Sequence, residues 1–598
     1  MPGAKRNAEG PGDEPGSKKV AGGSAETLLS PLIASIFHPE ERKKTVEEFA
    51  TSAPYHHAVI APFAQEDRLR AVHDELVQNL TANLKESDLF KVYQTCDLAN
   101  LGRNGVMEEL AAKMPQLISL RDAIYSPEFK SFVQEVTGCG ELSDQVDCAT
   151  NLHTQGCHLL CHDDVIGTRK VSYIIYLTSP DKPWTREDGG ALQLYASVTP
   201  GTPATFPSKI LLPIFNTIAL FNVEPGVSFH SVEEVYSERP RMSIQGWFHG
   251  PPSPANTKSM ATVNQLIAGT ANAAVPFVDI PAALVEQGAL SASDLKVLGE
   301  FVNPAYLRAD GIGKIREKFE EESCVELRDF LRKDVALELG RRCTSADRRD
   351  KLGRARLPDD QVGIGSKWQA VGPPHMQRYL TFAETKEPEV GALDLKTSQD
   401  AGDLLEEVRA RMRSAPFARL LAKLTSVTVD GARGEVRRFR PGLDYTVAHY
   451  GTMAAGKSLN AVLCEVDEAE DGEEESTAGM RMTAEEKRDR WAGGEIGGFE
   501  CYIEAEEDCA AEASDVYRMD PEDDGPLVQT IARSNTLSLV LLDQGVMRFV
   551  KYVGGAAPGS RWDIANDYRI VPGDSDDDEE GEGEAGGVAK EDEEEGKS

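Results

Sequence analysis

The chain has 598 residues, more than one hydrophobic core usually supports, so two or more domains are expected. Its formal charge of −35 argues against a broad phosphate-binding face and suits a basic partner. Ten cysteines without regular close spacing do not form a disulfide framework, which predicts a reducing compartment.

Residues 1–27 are rich in Gly, Pro, Lys and Glu and read as a disordered tail, with no apolar region of a secretory signal. Lys5-Arg6 and Lys18-Lys19 could form a two-part import signal, although basic pairs are common in such tails. The expected location is the nucleus and/or cytoplasm. No membrane association is expected, because the longest apolar stretch, Ile210 to Val223, is interrupted by Pro213 and Asn216. From Leu28 to about Phe132 the pattern is mostly helical, as in Asp67–Leu84, where apolar residues recur at three and four. From about Ser143 to Gly250 it changes to short strands between turn residues: Val171–Leu177, Ala191–Tyr195, Lys209–Leu212, Thr217–Val223 and Met242–Phe248. Many short strands with Gly/Pro turns predict an antiparallel sandwich or barrel over this stretch, within a catalytic domain of residues 28–252.

Residues 253–292 read as a linker and helical connection, with helical patterns from about Leu266 to Arg342. Residues 293–572 hold a second strand-rich block, from about Arg378 to Ile570, with an acidic insert at about 465–494. The tail, 573–598, carries 13 acids against 2 lysines from Asp574 on. Acidic runs of this kind are normally solvated and disordered.

The second block looks like a diverged copy of the first. Gly189-Gly190 before a short strand is echoed by Gly497-Gly498, and Asn216-Thr217 by Asn535-Thr536. With one residue of slippage, Phe549-Val550 falls on Phe229-His230 and Arg561 on Arg241. His449-Tyr450-Gly451 could match His162-Asp163-Asp164. The copy keeps a histidine and an arginine but has lost the carboxylate and the second histidine.

Those residues carry the chemistry. Two imidazoles and one carboxylate can occupy one face of a metal and leave the other open, as a non-haem Fe(II) oxygenase requires. His162 and Asp164 stand two apart, so on an extended strand both side chains point one way and Asp163 the other. His230 would come from a distant strand. Arg241 and Ser243 are again two apart, and an arginine fork suits the far carboxylate of a dicarboxylate co-substrate. Tyr176, in the apolar strand after the first ligands, is either a core phenol or a second donor to that carboxylate. A lone His-x-Asp is weak, since a solvated turn accounts for most of them; the downstream histidine and Arg-x-Ser give it weight. Zinc is the rival: Cys157, His158, Cys161 and His162 lie within six residues, with Cys148 and His153 as the nearby partners. Closed zinc sites usually draw on two separated pairs, so the thiols read as buried. His249 reads as structural or at the pocket rim.

At these residues the chain resembles the 2-oxoglutarate- and iron-dependent prolyl hydroxylases that modify a ribosomal protein. The resemblance runs through Ser87 to Leu98, Leu159 to Asp164, Ser228 to His230, Arg241 to Gly250, Val302 to Leu307, Gly372 to Pro374 and Phe439 to Gly442. It implies an α+β chain of two double-stranded β-helix (jelly-roll) domains with supporting helices, the second lacking the iron ligands. Iron ligands are implied at His162, Asp164 and His230, and 2-oxoglutarate contacts at Tyr176 and Arg241. The implied cofactors are Fe(II), with 2-oxoglutarate and dioxygen as co-substrates, and L-ascorbate as a reductant.

The expected activity is hydroxylation of a prolyl residue in a basic small-subunit ribosomal protein at the decoding centre, affecting translation accuracy or termination. Translation-termination and poly(A)-binding factors are further candidate partners. A scaffold in translation or mRNA decay, docking partners on the second barrel, is the alternative. Direct nucleic-acid binding is not expected, because no basic stretch with interleaved aromatics is present.

Overall fold

The computed structural model describes residues 28–103, 105–251, 276–280, 290–383, 393, 395–396, 400–449, 456–472, 481–504 and 526–571. The N-terminal tail with its basic pairs, the acidic tail, Gly451, most of the linker and part of the acidic insert lie outside these residues. The chain divides into two compact units, one built on residues up to Gln265 and the other on residues from Leu266.

The first unit is one long antiparallel sheet that curls on itself. Its strands are β1 (His57–Ile60), β2 (Phe90–Gln94), β3 (Val146–His153), β4 (His158–His162), β5 (Arg169–Tyr176), β6 (Leu192–Leu194), β7 (Lys209–Leu211), β8 (Ile218–Asn222), β9 (His230–Val232) and β10 (Arg241–His249). They pair in the order β1-β8-β5-β10-β3-β2-β4-β9-β6-β7. Alternation along β5 and β10 separates two cores. Val171, Tyr173 and Ile175 join Met242, Ile244 and Phe248 in a large cluster with the helices, whereas Ile174 and Tyr176 join a smaller cluster with Leu192, Leu194 and Phe221.

The longer helices are α1 (Pro39–Thr51), α2 (Glu66–Asn79), α3 (Pro115–Ile124) and α4 (Pro127–Thr137). α4 shows why they form where they do. Pro127 occupies the first turn, the Ser126 hydroxyl accepts from Phe129 N, and Gly138 ends the helix at φ 64°. Its apolar face buries Phe129, Phe132, Val133 and Val136. Truncating a side chain as enclosed as Phe129 costs about 3–5 kcal/mol.

The second unit repeats this plan. β11 (Cys324–Arg328), β12 (Trp368–Val371), β13 (Gln377–Phe382), β14 (Val429–Phe439), β15 (Ser458–Glu465), β18 (Thr536–Leu542) and β20 (Arg561–Ile570) pair in the order β11-β18-β15-β20-β14-β13-β12. β16 (Glu500–Glu504), β17 (Val528–Thr530) and β19 (Val546–Val550) form a smaller sheet in the order β17-β16-β19. Helices α5 (Ala309–Glu322), α6 (Lys333–Asp350), α7 (Ala401–Met412) and α8 (Ala415–Thr425) follow the same succession as α1 to α4. Even one turn recurs. Asn216, at φ 60°, accepts from Phe63 N and Ala64 N and donates to the Ala64 carbonyl. Asn535, at φ 48°, accepts from Leu331 N and donates to its carbonyl. The duplication expected from short echoes therefore extends through the helical layers.

The structure refines three expectations. The mostly helical stretch from Leu28 contains β1, β2 and the strand Asn83–Glu86, which are too short to outweigh the helical periodicity around them. In the connection between the blocks, Val278–Asp279 pairs with β14, and the helix Ala292–Leu298 begins at its end. The acidic insert is not uniformly solvated. Glu465, Asp467 and Asp471 are buried, because Lys487 on the helix Ala484–Ala492 (α9) reaches both aspartates at 2.7 Å, and Glu465 accepts from Ser534 and Asn535. Burial pushes the Glu465 carboxyl up to about 8. Among the described residues no helix is long and apolar enough to cross a membrane.

Asn216→Ala should remove about 2 kcal/mol or more from the unfolding transition of the first unit, since it strands buried backbone groups. Asn216→Gly should recover only the part owed to the left-handed turn, as read by urea denaturation.

Candidate metal centre and co-substrate pocket

β4 and β9 pair so that His162 lies opposite His230, with ring centroids 4.2 Å apart. Each ring is oriented by its own backbone. The Nδ1 of His162 bonds the Leu160 carbonyl at 2.8 Å and that of His230 bonds the Ser228 carbonyl at 2.9 Å. Nδ1 is therefore the protonated nitrogen, and Nε2 presents a lone pair. Asp164 lies 3.3 Å from His162 Nε2 and 3.4 Å from His230 Nε2. One ligand atom from each of the three lies within 4.8 Å of the others.

Strand alternation is not what delivers Asp164. β4 stops at His162, and Asp164 turns inward through a left-handed backbone, φ 62°. Asp163 is used otherwise: its carboxylate accepts from Val165 N and Gly226 N, and its carbonyl accepts from the Ser228 hydroxyl. These bonds tie the segment that carries Asp164 to the loop that leads into His230.

Burial alone would raise the Asp164 carboxyl, but His230 and His162 hold it well below the usual range. Burial alone would lower His162, and the Asp164 carboxylate raises it instead. Two residues not singled out from the sequence complete the surroundings. Trp247 donates from its indole nitrogen to Asp164 Oδ2 at 3.0 Å, and the Arg169 guanidinium lies 3.5 Å from the centre of that indole. Trp247 alternates with Arg241 and Ser243 along β10, which is the signal that could have found it.

Arg241 is fully enclosed. Its Nε donates to the Gly190 carbonyl at 2.7 Å and its Nη1 to Ser243 at 3.5 Å, while Nη2 has no partner. The Tyr176 ring lies 5.2 Å from the guanidinium; its buried hydroxyl makes no hydrogen bond, although the phenol and the guanidinium interact electrostatically. Burial lowers the Arg241 guanidinium and pushes the Tyr176 phenol up, so each favours an added anion or acceptor. Unmatched donors of this kind fit the distal carboxylate of 2-oxoglutarate, and the His-Asp-His donor set fits ferrous iron.

The zinc alternative finds no support among the described residues, where His162, Asp164 and His230 are the only group of three able to hold a metal. Cys157 lies 3.4 Å from the Thr154 hydroxyl, and Cys161 packs with Tyr195 and Phe229. His249 bonds Thr168 at 3.0 Å, a structural role.

The second unit closes the corresponding position. Arg561 donates to the Gly498 carbonyl as Arg241 does to Gly190, but its other nitrogens meet Asp563 at 3.0 Å and Glu500 at 3.4 Å. By spacing from the paired glycines and the arginine, these carboxylates stand where the first unit has Leu192 and Ser243. Arg437 completes a balanced quartet, 2.7 Å from Asp563. Burial alone would lower Arg561; Cys464, Asp563 and Glu500 raise it instead. The sheet register also corrects the alignment expected at Val550. Val550 pairs with Glu500 as Val232 pairs with Leu192, so the residue matching His230 is Arg548, held by Asp567 at 2.7 Å. His449 is buried, and burial lowers it to about 4.

A curled antiparallel sheet with this donor set defines a 2-oxoglutarate-dependent non-haem iron dioxygenase. Residues 148–249 match the 2OG-Fe(II) oxygenase superfamily, and residues 293–578 match the family described as oxoglutarate and iron-dependent oxygenase degradation C-term. The chain is 38% identical over 523 residues to prolyl 3,4-dihydroxylase OGFOD1 of Ostreococcus tauri, covering 86% of this chain and 95% of that protein. It is 27% identical to prolyl 3-hydroxylase OGFOD1 of Mus musculus, over 84% of each. Among solved structures, a Pseudomonas putida prolyl-4-hydroxylase covers 35% of this chain and 99% of its own, at 20% identity and a TM-score of 0.25. The chain belongs to the family of 2-oxoglutarate- and iron-dependent prolyl hydroxylases. It is an oxidoreductase that uses Fe(II), 2-oxoglutarate and dioxygen.

Replacing Trp247 by Phe, which keeps a ring and deletes the N–H, should weaken Co(II) or Mn(II) binding about tenfold. Metal binding should also weaken as pH falls, beginning above the ordinary histidine range. In the metal-free protein the raised His162 takes up a proton there, and that proton competes with the ion. Calorimetric titration across pH checks both.

Proposed function

We propose that this enzyme hydroxylates a prolyl residue of a basic small-subunit ribosomal protein at the decoding centre, and so affects translation accuracy or termination. The single observation that carries the site is the His162-Asp164-His230 cluster in the same fold as the unmatched Tyr176 and Arg241. The net charge of −35 suits a basic target. The relatives named prolyl 3-hydroxylase and prolyl 3,4-dihydroxylase support oxidation at C3 of the ring, with a second event at C4 as the extension to test.

His162, Asp164 and His230 would hold the iron, and Tyr176 and Arg241 the distal carboxylate of 2-oxoglutarate. Ferrous iron supplies the oxidative chemistry that couples decarboxylation of 2-oxoglutarate to C–H hydroxylation. The residues do the rest. The Nδ1 bonds of both histidines keep Nε2 available, and Asp164 supplies negative charge to a buried cation. The Arg241 fork and the Tyr176 hydroxyl orient the dicarboxylate, while Ile174, Leu192, Leu194 and Phe221 exclude water. L-ascorbate belongs in the assay as the reductant.

The expected location is that of the substrate, nucleus or cytoplasm. A docking role for the second barrel, with termination and poly(A)-binding factors as partners, is the alternative reading. Incubation with iron, 2-oxoglutarate, oxygen and a peptide of the ribosomal protein should make the peptide heavier by one oxygen atom, or by two if C4 follows. Asp164→Ala should abolish that gain while partner binding persists. A fully metallated wild-type protein that leaves the peptide unchanged overturns the assignment. Tyr176→Phe should raise the KM for 2-oxoglutarate about tenfold, with a smaller change in the peptide KM.

A further inference from the structure

A further enclosed hydroxyl in the first unit has no role in the chemistry above. Tyr55 is 7% exposed, its hydroxyl is buried, and that hydroxyl has no hydrogen-bond partner in the protein. It is not a stray surface phenol. Tyr55 precedes β1, whose His57 pairs with Phe221 of β8, and its side chain belongs to the interior cluster that contains Ile174, Tyr176 and Leu192. Its ring lies 6.0 Å from that of Phe221, and Phe221 lies 4.8 Å from the His230 imidazole. Tyr55 thus stands one ring away from a metal-centre histidine. Burial pushes its phenol well up, and Cys161 and the Asp164 carboxylate add to this, so the group stays protonated and acts as a donor.

A buried donor without an acceptor is unfavourable by an amount that selection normally removes, and Phe at this position would remove it with little change of shape. The hydroxyl is therefore expected to meet an acceptor on something that binds. The distal carboxylate of the co-substrate already has the matching pair Tyr176 and Arg241. A prolyl residue has no backbone N–H, so the only polar backbone group it can offer a protein is its carbonyl oxygen. A protonated phenol near the metal centre is the complement of that group.

We propose that Tyr55 receives the polypeptide substrate, donating a hydrogen bond from its hydroxyl to the backbone carbonyl at the target proline. This rests on the prolyl hydroxylase assignment of the site and adds to it a residue that discriminates substrate from co-substrate.

The test is Tyr55→Phe in the full chain, measured beside wild type with the ribosomal prolyl peptide. The KM for the peptide should rise about tenfold. Metal affinity, the KM for 2-oxoglutarate and the slow consumption of 2-oxoglutarate without peptide should stay unchanged. Thermal unfolding of the metal-free variant should occur at the same or a higher temperature, because the hydroxyl makes no internal bond; a purely structural tyrosine would show the reverse. An unchanged peptide KM in an active wild-type background overturns the role of Tyr55 alone. A raised 2-oxoglutarate KM with an unchanged peptide KM also overturns it, by making Tyr55 a co-substrate group. A wild-type protein that holds metal and 2-oxoglutarate but never modifies the peptide overturns the substrate assignment and this proposal with it.

Discussion

A guanidinium enclosed in the interior of a sheet must be met by negative charge, and this constraint governs both halves of the chain. Desolvating such a group is expensive unless a carboxylate or several acceptors surround it. Arg241 has one carbonyl, one long bond to Ser243 and an unused nitrogen, and burial depresses it. Arg561 has a carbonyl and two carboxylates, and it is raised. The same strand position therefore yields a guanidinium with an unmatched nitrogen in one unit and a finished ion network in the other.

The difference lies in two positions. Leu192 and Ser243 leave room and polarity beside Arg241, where Glu500 and Asp563 fill both beside Arg561. The metal position diverges in the same manner. His230 offers a lone pair because its Nδ1 is committed to the Ser228 carbonyl, whereas Arg548, at the matching register, is a permanent cation paired with Asp567. In the second unit, the position matching His230 and the surroundings of the matching arginine are thus filled by cations and anions of the chain itself.

Much of this was legible in the sequence. Short runs such as Val171–Leu177 and Met242–Phe248 carry β-forming residues between turns, and the structure has strands there. His162, Asp164, His230 and Arg241 stand out because few other residue types do that chemistry. Long-range geometry was less visible. Strand alternation selects Asp164 over Asp163, but a left-handed turn after the strand does the positioning, and a φ angle cannot be read from spacing. Trp247 and Arg169 act through contacts between strands far apart in sequence. The acidic run from Glu465 looked solvated because composition does not reveal that Lys487 and Asn535 fold back on it. The slip at Val550 likewise needed the sheet register.

The self-matched Arg561 network also separates the two units in their dependence on metabolism. Ligands that bind a folded state stabilise it in proportion to their concentration, so the first unit gains or loses stability with the supply of iron and 2-oxoglutarate. The second unit carries its own counter-ions at Glu500 and Asp563, so its buried Arg561 needs none from that supply. A shortage of iron or 2-oxoglutarate thus leaves the charge balance around Arg561 untouched, whereas the charge balance around Arg241 changes with the supply of an outside anion.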